Sequence, residues 1–253
     1  MVDALRLSFG TFTSIKVQAP RRVDTQVMKM ALALSFLPAL VVSGAAWLSG
    51  WLVFRLTHAS LVAAIIVIGA EILLTSGLHI DGLLDTADGV AVLGKGGRDR
   101  ALEVMKTGNS GPAAFGTGLV VLLLQAAALS AAFARHVSVS WIISALLARF
   151  AVVIACRTGT KSARPDGLGN PFIGSVDFLW LAFSVTINVA IVGVLGVGRR
   201  AWLLFVIVVV AMAFGEVLKH RAERQFGGLT GDILGSILEK VRTLSLLILL
   251  IDI

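Results

Sequence analysis

The sequence predicts an all-α fold: a polytopic, integral-membrane bundle of about six to seven helices, one membrane-embedded domain over 1–253, with its N-terminus cytoplasmic. Three observations predict it. Of 253 residues, 57% are hydrophobic and 15% are charged, where soluble domains carry about 25% charged residues. Apolar stretches recur from residue 31 almost to the C-terminus, each near the ~20 residues that a helix needs to cross hydrocarbon. The Lys and Arg residues between those stretches fall mostly in alternate connections, as the positive-inside bias requires.

Taken in order, the spans are 31–54, 59–79, 112–134, 137–156, 176–197 and 201–218. A seventh, 233–251, holds Glu239, Lys240 and Arg242 in its interior, so its first half also reads as an amphipathic interfacial helix. The N-terminal tail carries Arg6, Lys16, Arg21, Arg22 and Lys29 ahead of an apolar run too long for a removable signal, and is expected to stay attached. With that tail, the connections 80–111, 157–175 and 219–232 hold most of the basic residues, whereas the opposite connections hold only Arg55, Arg135, Arg199 and Arg200. Nearly all the unusual polar chemistry falls on the basic side.

The formal net charge is +7. In a soluble chain that balance would suggest nucleic acid, but there is no Tyr and no interleaving of basic and aromatic residues to stack bases. No nucleic-acid partner is expected. The single cysteine, Cys156, lies in an apolar run and reads as a small buried hydrophobe.

Residues 71–89 place Glu71, Asp81, Asp85 and Asp88, four of the fifteen acidic residues, in nineteen positions. On a helix, Asp81, Asp85 and Asp88 stand at i, i+4 and i+7 and share one stripe. Carboxylates so close repel one another unless a cation compensates, and two or three hard oxygen donors suit Mg²⁺ or Mn²⁺. Glu71 falls about 12 Å inside the span, eight residues at helical rise, where an unpaired carboxylate is costly. Glu71, Thr75 and His79 form a second polar stripe leading to the aspartates. His79 reads either as a general base, as a hydrogen-bond partner of a carboxylate, or as a locally satisfied interfacial histidine.

The loops on the same side are basic and glycine-rich. Gly94–Gly97 reads as a turn, followed from Arg98 by a short amphipathic helix through Met105. Then come Lys106-Thr107-Gly108-Asn109-Ser110-Gly111 and Pro112 at a helix start, an arrangement that can aim backbone N–H groups at an anion. Arg149, within the fourth span, is either a snorkelling structural arginine or the partner of a carboxylate or bound anion. The turn-rich loop with Asp166 and Asn170 is a candidate substrate contact or lid. Thr230 and Asp232 are helix-capping types, and Gly227, Gly228 and Gly231 beside Arg224 also fit an anion cradle. Carboxylates, cations and glycine loops on one face fit metal-assisted phosphoryl transfer to or from an amphipathic substrate.

Four blocks in order carry a family resemblance: Gly77-Leu-His79-Ile-Asp81-Gly-Leu-Leu-Asp85-Thr-Ala-Asp88-Gly89, Arg98-Asp-Arg-Ala-Leu-Glu-Val-Met-Lys106, Asp166-Gly-Leu-Gly-Asn170-Pro-Phe-Ile-Gly174 and Phe226-Gly-Gly-Leu-Thr-Gly-Asp-Ile-Leu-Gly235. Together they resemble the cobalamin synthases, the adenosylcobinamide-GDP ribazoletransferases. The resemblance implies a Mg²⁺-dependent enzyme of the bacterial inner membrane, with its active site on the cytoplasmic face. It would join adenosylcobinamide-GDP to α-ribazole, or to α-ribazole 5′-phosphate, and release GMP. On that basis Asp81, Asp85 and Asp88 are expected to hold the metal on the diphosphate, with Glu71 or Asp232 completing the set. Lys106, Arg149, Arg224 and Thr230 are expected at the phosphates, Asp166 and Asn170 in a substrate loop, and His79 or Asp232 as proton acceptor. A homo-oligomer is left open. The chain departs from the family's usual pattern at Thr107-Gly108, where a polar Asp-Ser-like pair is common, and at Phe12-Thr13-Ser14-Ile15. A CDP-alcohol phosphotransferase would place Ala-Arg where Val92-Leu93 stand, and a transporter would place its polar groups near the bilayer middle.

Overall fold

The computed structural model describes residues 1–164, 166–167, 169–197 and 201–251, and among these it has ten α-helices and no strand. They are α1 (Val2–Phe12), α2 (Thr25–Ala33), α3 (Phe36–Thr57), α4 (Ser60–Leu74), α5 (Leu78–Val104), α6 (Pro112–Ala134), α7 (Ser140–Ala155), α8 (Phe178–Leu195), α9 (Ala201–Phe226) and α10 (Gly231–Leu249). The ends of these helices follow local chemistry. Asp24, Asp177 and Thr230 each cap the helix they precede, accepting from Val27, Trp180 and Ile233 N–H, which satisfies donors that the first helical turn leaves open. Pro112 opens α6, at a position where its missing N–H costs nothing.

The centre of the bundle is α7, in which every residue except Ile154 is buried. Against it lies α10, buried along most of its length and packed most extensively on α5 and α7. Around this pair stand α3, α4, α6, α8 and α9. Their outward faces carry exposed Leu48, Leu52, Ile65, Leu123, Leu179, Phe205 and Val209, as a surface solvated by lipid tails would.

Four helical stretches are long and apolar enough to cross a membrane: Thr25–Thr57, α6, α8 and α9. A fifth arises if α4 and α5, bent by 90° to each other, count together. By these criteria of length and composition the count is lower than the six to seven expected, because α7 is short, α4 and α5 meet at a bend, and α10 carries charges in its interior. The expected span 137–156 corresponds to α7, which is apolar but short and buried in protein. The stretch 233–251 falls outside these criteria, and two of the charges in its interior, Glu239 and Arg242, turn inward to partners on α4, α6 and α7. The expected span 59–79 breaks after Leu74, where Ser76 and Gly77 have φ values of 52° and 71°. The turn expected over Gly94–Gly97 is a kink at Gly97 (φ 70°, ψ −173°) that divides α5 into two helical pieces, the second beginning at Arg98 as expected.

The α5–α10 contact depends on glycine. A Cβ at Gly82 would lie 2.7 Å from the Asp232 carbonyl oxygen and 2.9 Å from its Cα. We expect Gly82→Ala to force the two helices apart and to destabilise the protein by about 1–3 kcal/mol. Gly116→Ala, with no atom within 4 Å of the new methyl, serves as the control in a thermal unfolding measurement in detergent.

Candidate active site

The sequence blocks that carry polar chemistry meet at one end of the bundle. Gly228 approaches so closely that a Cβ there would lie 2.7 Å from the Ala163 nitrogen, and backbone bonds join Ala163 N–H to Leu229 O and Leu229 N–H to Lys161 O. Gly169 lies against Gly231. Arg98 reaches Gly227, Lys106 donates to Asp166 at 2.6 Å, and Arg164 pairs with Asp232. The start of α5 is held on α10 by Gly82 against Asp232 and Gly235 against His79. Lys29 on α2 pairs with Asp177 at the start of α8, so the N-terminal segment closes on the same end. The opposite end contains the connections carrying Arg55 and Arg135; Arg199 and Arg200 lie outside the described residues.

The three aspartates of α5 share a stripe, as their spacing predicts, but occupy three environments. Asp81 is exposed, Asp85 half-buried and Asp88 buried. Asp88 Oδ2 accepts from Gly111 N–H at 2.5 Å and Oδ1 from Ala114 N–H at 2.9 Å. It therefore caps α6 from a neighbouring helix, fixing the glycine loop that precedes Pro112 and setting a negative charge at the positive helix end. The side-chain carboxylates of Asp81 and Asp85 have no hydrogen-bond or ion-pair partner among the described residues. Asp85 feels the charges of Asp81, Asp232 and Asp88, with Arg164 the opposing cation. Asp232, partly exposed, is oriented by Arg164 and by the Thr230 hydroxyl, which donates to it at 3.3 Å.

Among the described residues no three His, Cys, Asp or Glu side chains converge tightly enough to cage a metal alone. Mg²⁺ usually takes one or two protein carboxylates and completes its shell with water and substrate phosphates. Asp81 and Asp85, lacking partners and mutually repelling, are a donor set of that size and fit such an ion.

Glu71 is not part of this group. It pairs with Arg242 of α10, and its other oxygen accepts from Trp141 Nε1 at 2.6 Å. Arg242 also lies 3.9 Å from Glu239 and stacks over the Trp141 ring at 4.8 Å. Gln125 donates to Glu239 at 2.9 Å and to Thr243 at 3.1 Å. Arg149, 4% exposed, sets its guanidinium 3.1 Å from His79 Nε2 and 4.5 Å from the Phe12 ring centroid. Two glutamates thus balance two arginines inside the bundle, which is how buried charge becomes tolerable. His79 is buried and its Nε2 is occupied, so it is not open to a substrate hydroxyl. Thr75 returns its hydroxyl to the Glu71 carbonyl.

The other predicted residues divide similarly. Thr230 is the N-cap of α10. Lys106 and Asp166 are exposed partners linking two loops, and the Lys106 ammonium holds the Asp166 carboxyl below the usual carboxylate range. Arg224 is exposed near the end of α9, and Asn170 lies in the loop that Gly169 fastens to α10. Sequence reasoning missed Arg164 as the partner of Asp232, and Gln125 and Trp141 as partners of the buried glutamates. A Gln in the middle of an apolar span was the one available signal.

Comparison with known proteins agrees with the four-block pattern. A family model described as cobalamin-5-phosphate synthase matches residues 4–250. A Frankia casuarinae protein named adenosylcobinamide-GDP ribazoletransferase is 33% identical, covering 98% of this chain and 94% of its own. A Nocardioides sp. protein of the same name is also 33% identical, over 98% of each chain. One from Pseudomonas syringae pv. syringae is 37% identical over 74% of each. No solved structure matches. With the match spanning nearly every residue and the matching motifs gathered at one end of the bundle, the chain belongs to the cobalamin-5-phosphate synthase family.

Proposed function

We propose that this membrane protein is an adenosylcobinamide-GDP ribazoletransferase whose active site is the aspartate-bearing end of the bundle, facing the cytoplasm. The observation that carries the reading is the position of Asp81 and Asp85. They are two unpartnered carboxylates beside Asp232, ringed by Arg164 and by loops rich in glycine and lysine.

In this reading Asp81 and Asp85 hold Mg²⁺, which when bound supplies charge neutralisation at the diphosphate of adenosylcobinamide-GDP. Asp88 shapes the site by capping α6, leaving the 106–111 loop as a rim around the donor. Lys106 and Arg224, both exposed, bind phosphate oxygens as the diphosphate enters, and the Asp166–Asn170 loop closes beside them. A hydroxyl of the ribazole acceptor attacks the phosphorus that bears cobinamide. The P–O bond to the guanylate breaks, GMP leaves with that oxygen, and the hydroxyl proton passes to Asp232, which Arg164 and Thr230 hold in place. His79, Arg149 and Glu71 act from beneath, fixing the start of α5 through the buried charge network.

Purified protein is expected to convert adenosylcobinamide-GDP and α-ribazole, or its 5′-phosphate, to a cobamide and GMP, with loss of activity on chelation and recovery on adding Mg²⁺. GMP release undiminished by chelator contradicts the metal assignment.

A further inference from the structure

The first turns of α6 and the last turns of α9 scarcely touch, and between them a cavity of about 380 Å³ opens over α5 and α10. Both α6 and α9 are long and apolar enough to cross a membrane, so a gap between them faces lipid. The walls are mostly apolar, Val90, Leu218 and Phe226 among them, and no carboxylate lines the cavity among the described residues. Two cations do line it, Arg221 of α9 and Lys240 of α10. Lys240 lies in the field of Arg221, and neither forms a salt bridge among the described residues. Lys240 stands nine residues after Gly231, where α10 begins, or about 13 Å along the axis at helical rise, and it is half-buried. An unpaired lysine at that depth in a membrane bundle is costly and by default marks a functional site. Its long stem can carry the ammonium toward the level of Arg221, which is exposed and five residues before the end of α9. Deeper along the two spans, Val217 stands one turn from Arg221, and Val120 one turn from Thr117 at the cavity wall. These valines are 61% and 57% exposed, so an apolar surface continues from the cations into the bilayer.

We infer that this cavity seats the headgroup of an anionic phospholipid, its phosphate between Arg221 and Lys240 and its acyl chains running out between α6 and α9 over Val120 and Val217. Basic pockets between membrane helices recognise anionic headgroups by this chemistry. The Arg221 guanidinium offers a planar fork to phosphate oxygens and the Lys240 ammonium a point charge, whereas a zwitterionic headgroup brings a cation of its own against them. The occupant is a lipid and not a free phosphate because the walls around the two cations are apolar and lead toward hydrocarbon. A lipid held there ties α9 to α6, whose first turn Asp88 caps beside the glycine loop. This site is independent of the ribazoletransferase reading.

The full chain, purified in a neutral detergent, is titrated with phosphatidylglycerol or phosphatidylcholine of the same acyl chains. Bound lipid is counted by native mass spectrometry, and the thermal unfolding midpoint is followed in parallel. The unaltered protein is expected to bind its first phosphatidylglycerol about tenfold or more tightly than phosphatidylcholine, and to gain in midpoint from the anionic lipid alone. Lys240→Met combined with Arg221→Gln is expected to lower that preference by about tenfold or more, and each single variant to lose part of it. Lys95→Gln removes an exposed cation that does not line the cavity and should leave the preference unchanged. Equal affinity for the two lipids in the unaltered protein overturns the inference, and so does a preference that survives in the folded double variant. If the double variant does not fold, the single variants decide by the same criterion. A loss in Lys95→Gln equal to that in Lys240→Met assigns the preference to general surface charge and overturns the site. Displacement of phosphatidylglycerol by inorganic phosphate at millimolar concentration identifies a free-phosphate site and overturns the lipid.

Discussion

Replacing Asp85 by Asn is expected to lower turnover by about a hundredfold or more while the bundle stays folded. Asp85 is half-buried and close to three other carboxylates, with Arg164 the cation set against them. The isosteric amide removes a negative charge from an overcrowded cluster, so stability should hold or rise slightly. Only the affinity for the divalent ion and the stabilisation of charge at the diphosphate are lost. Steady-state GMP release at saturating Mg²⁺, with thermal unfolding measured in parallel, separates the two effects. Near-normal turnover removes Asp85 from the site. A drop in unfolding midpoint that matches the drop in activity makes it structural.

Arg242→Met should act in the opposite way, on the fold more than the chemistry. The substitution leaves Glu71 and Glu239 buried without their shared cation, and breaking a buried pair from one side costs about 3–5 kcal/mol. The double variant Glu71→Gln, Arg242→Met removes one charge of each sign and should recover most of that loss, because the amide oxygen introduced on α4 can still accept from Trp141. Thermal unfolding in detergent of the two single variants and the double measures the coupling. Additive losses would show that the two side chains act independently, contrary to the geometry.

Much of this arrangement was legible in the sequence, for reasons that differ by element. The i, i+4, i+7 spacing of Asp81, Asp85 and Asp88 predicts their shared stripe because helical periodicity alone sets it. The basic loops gather at one end because the charge bias reports which connections share a side. Partner choice was not legible. Glu71 has the same charge and lies in the same block as the aspartates, yet its partner is Arg242, 171 positions later. Only the packing of α10 on α5, α6 and α7, which lets Arg242 reach across to α4, brings the two together. Asp88 looked equivalent to Asp85, but the glycine loop brings two backbone N–H groups to it, a contact no side-chain pattern announces. The same limit applies to α7 and α10, whose apolar positions pack against other helices, a role that hydropathy alone does not announce.

The most direct measurement is binding of Mn²⁺, as a spectroscopic substitute for Mg²⁺, to the purified full chain with GDP present, followed by electron paramagnetic resonance. The account predicts nucleotide-dependent Mn²⁺ binding that is lost when Asp81 and Asp85 are both replaced by Asn and kept in Glu71→Gln. Equal binding in the double Asn variant, or loss of binding in a folded Glu71→Gln protein, would contradict it.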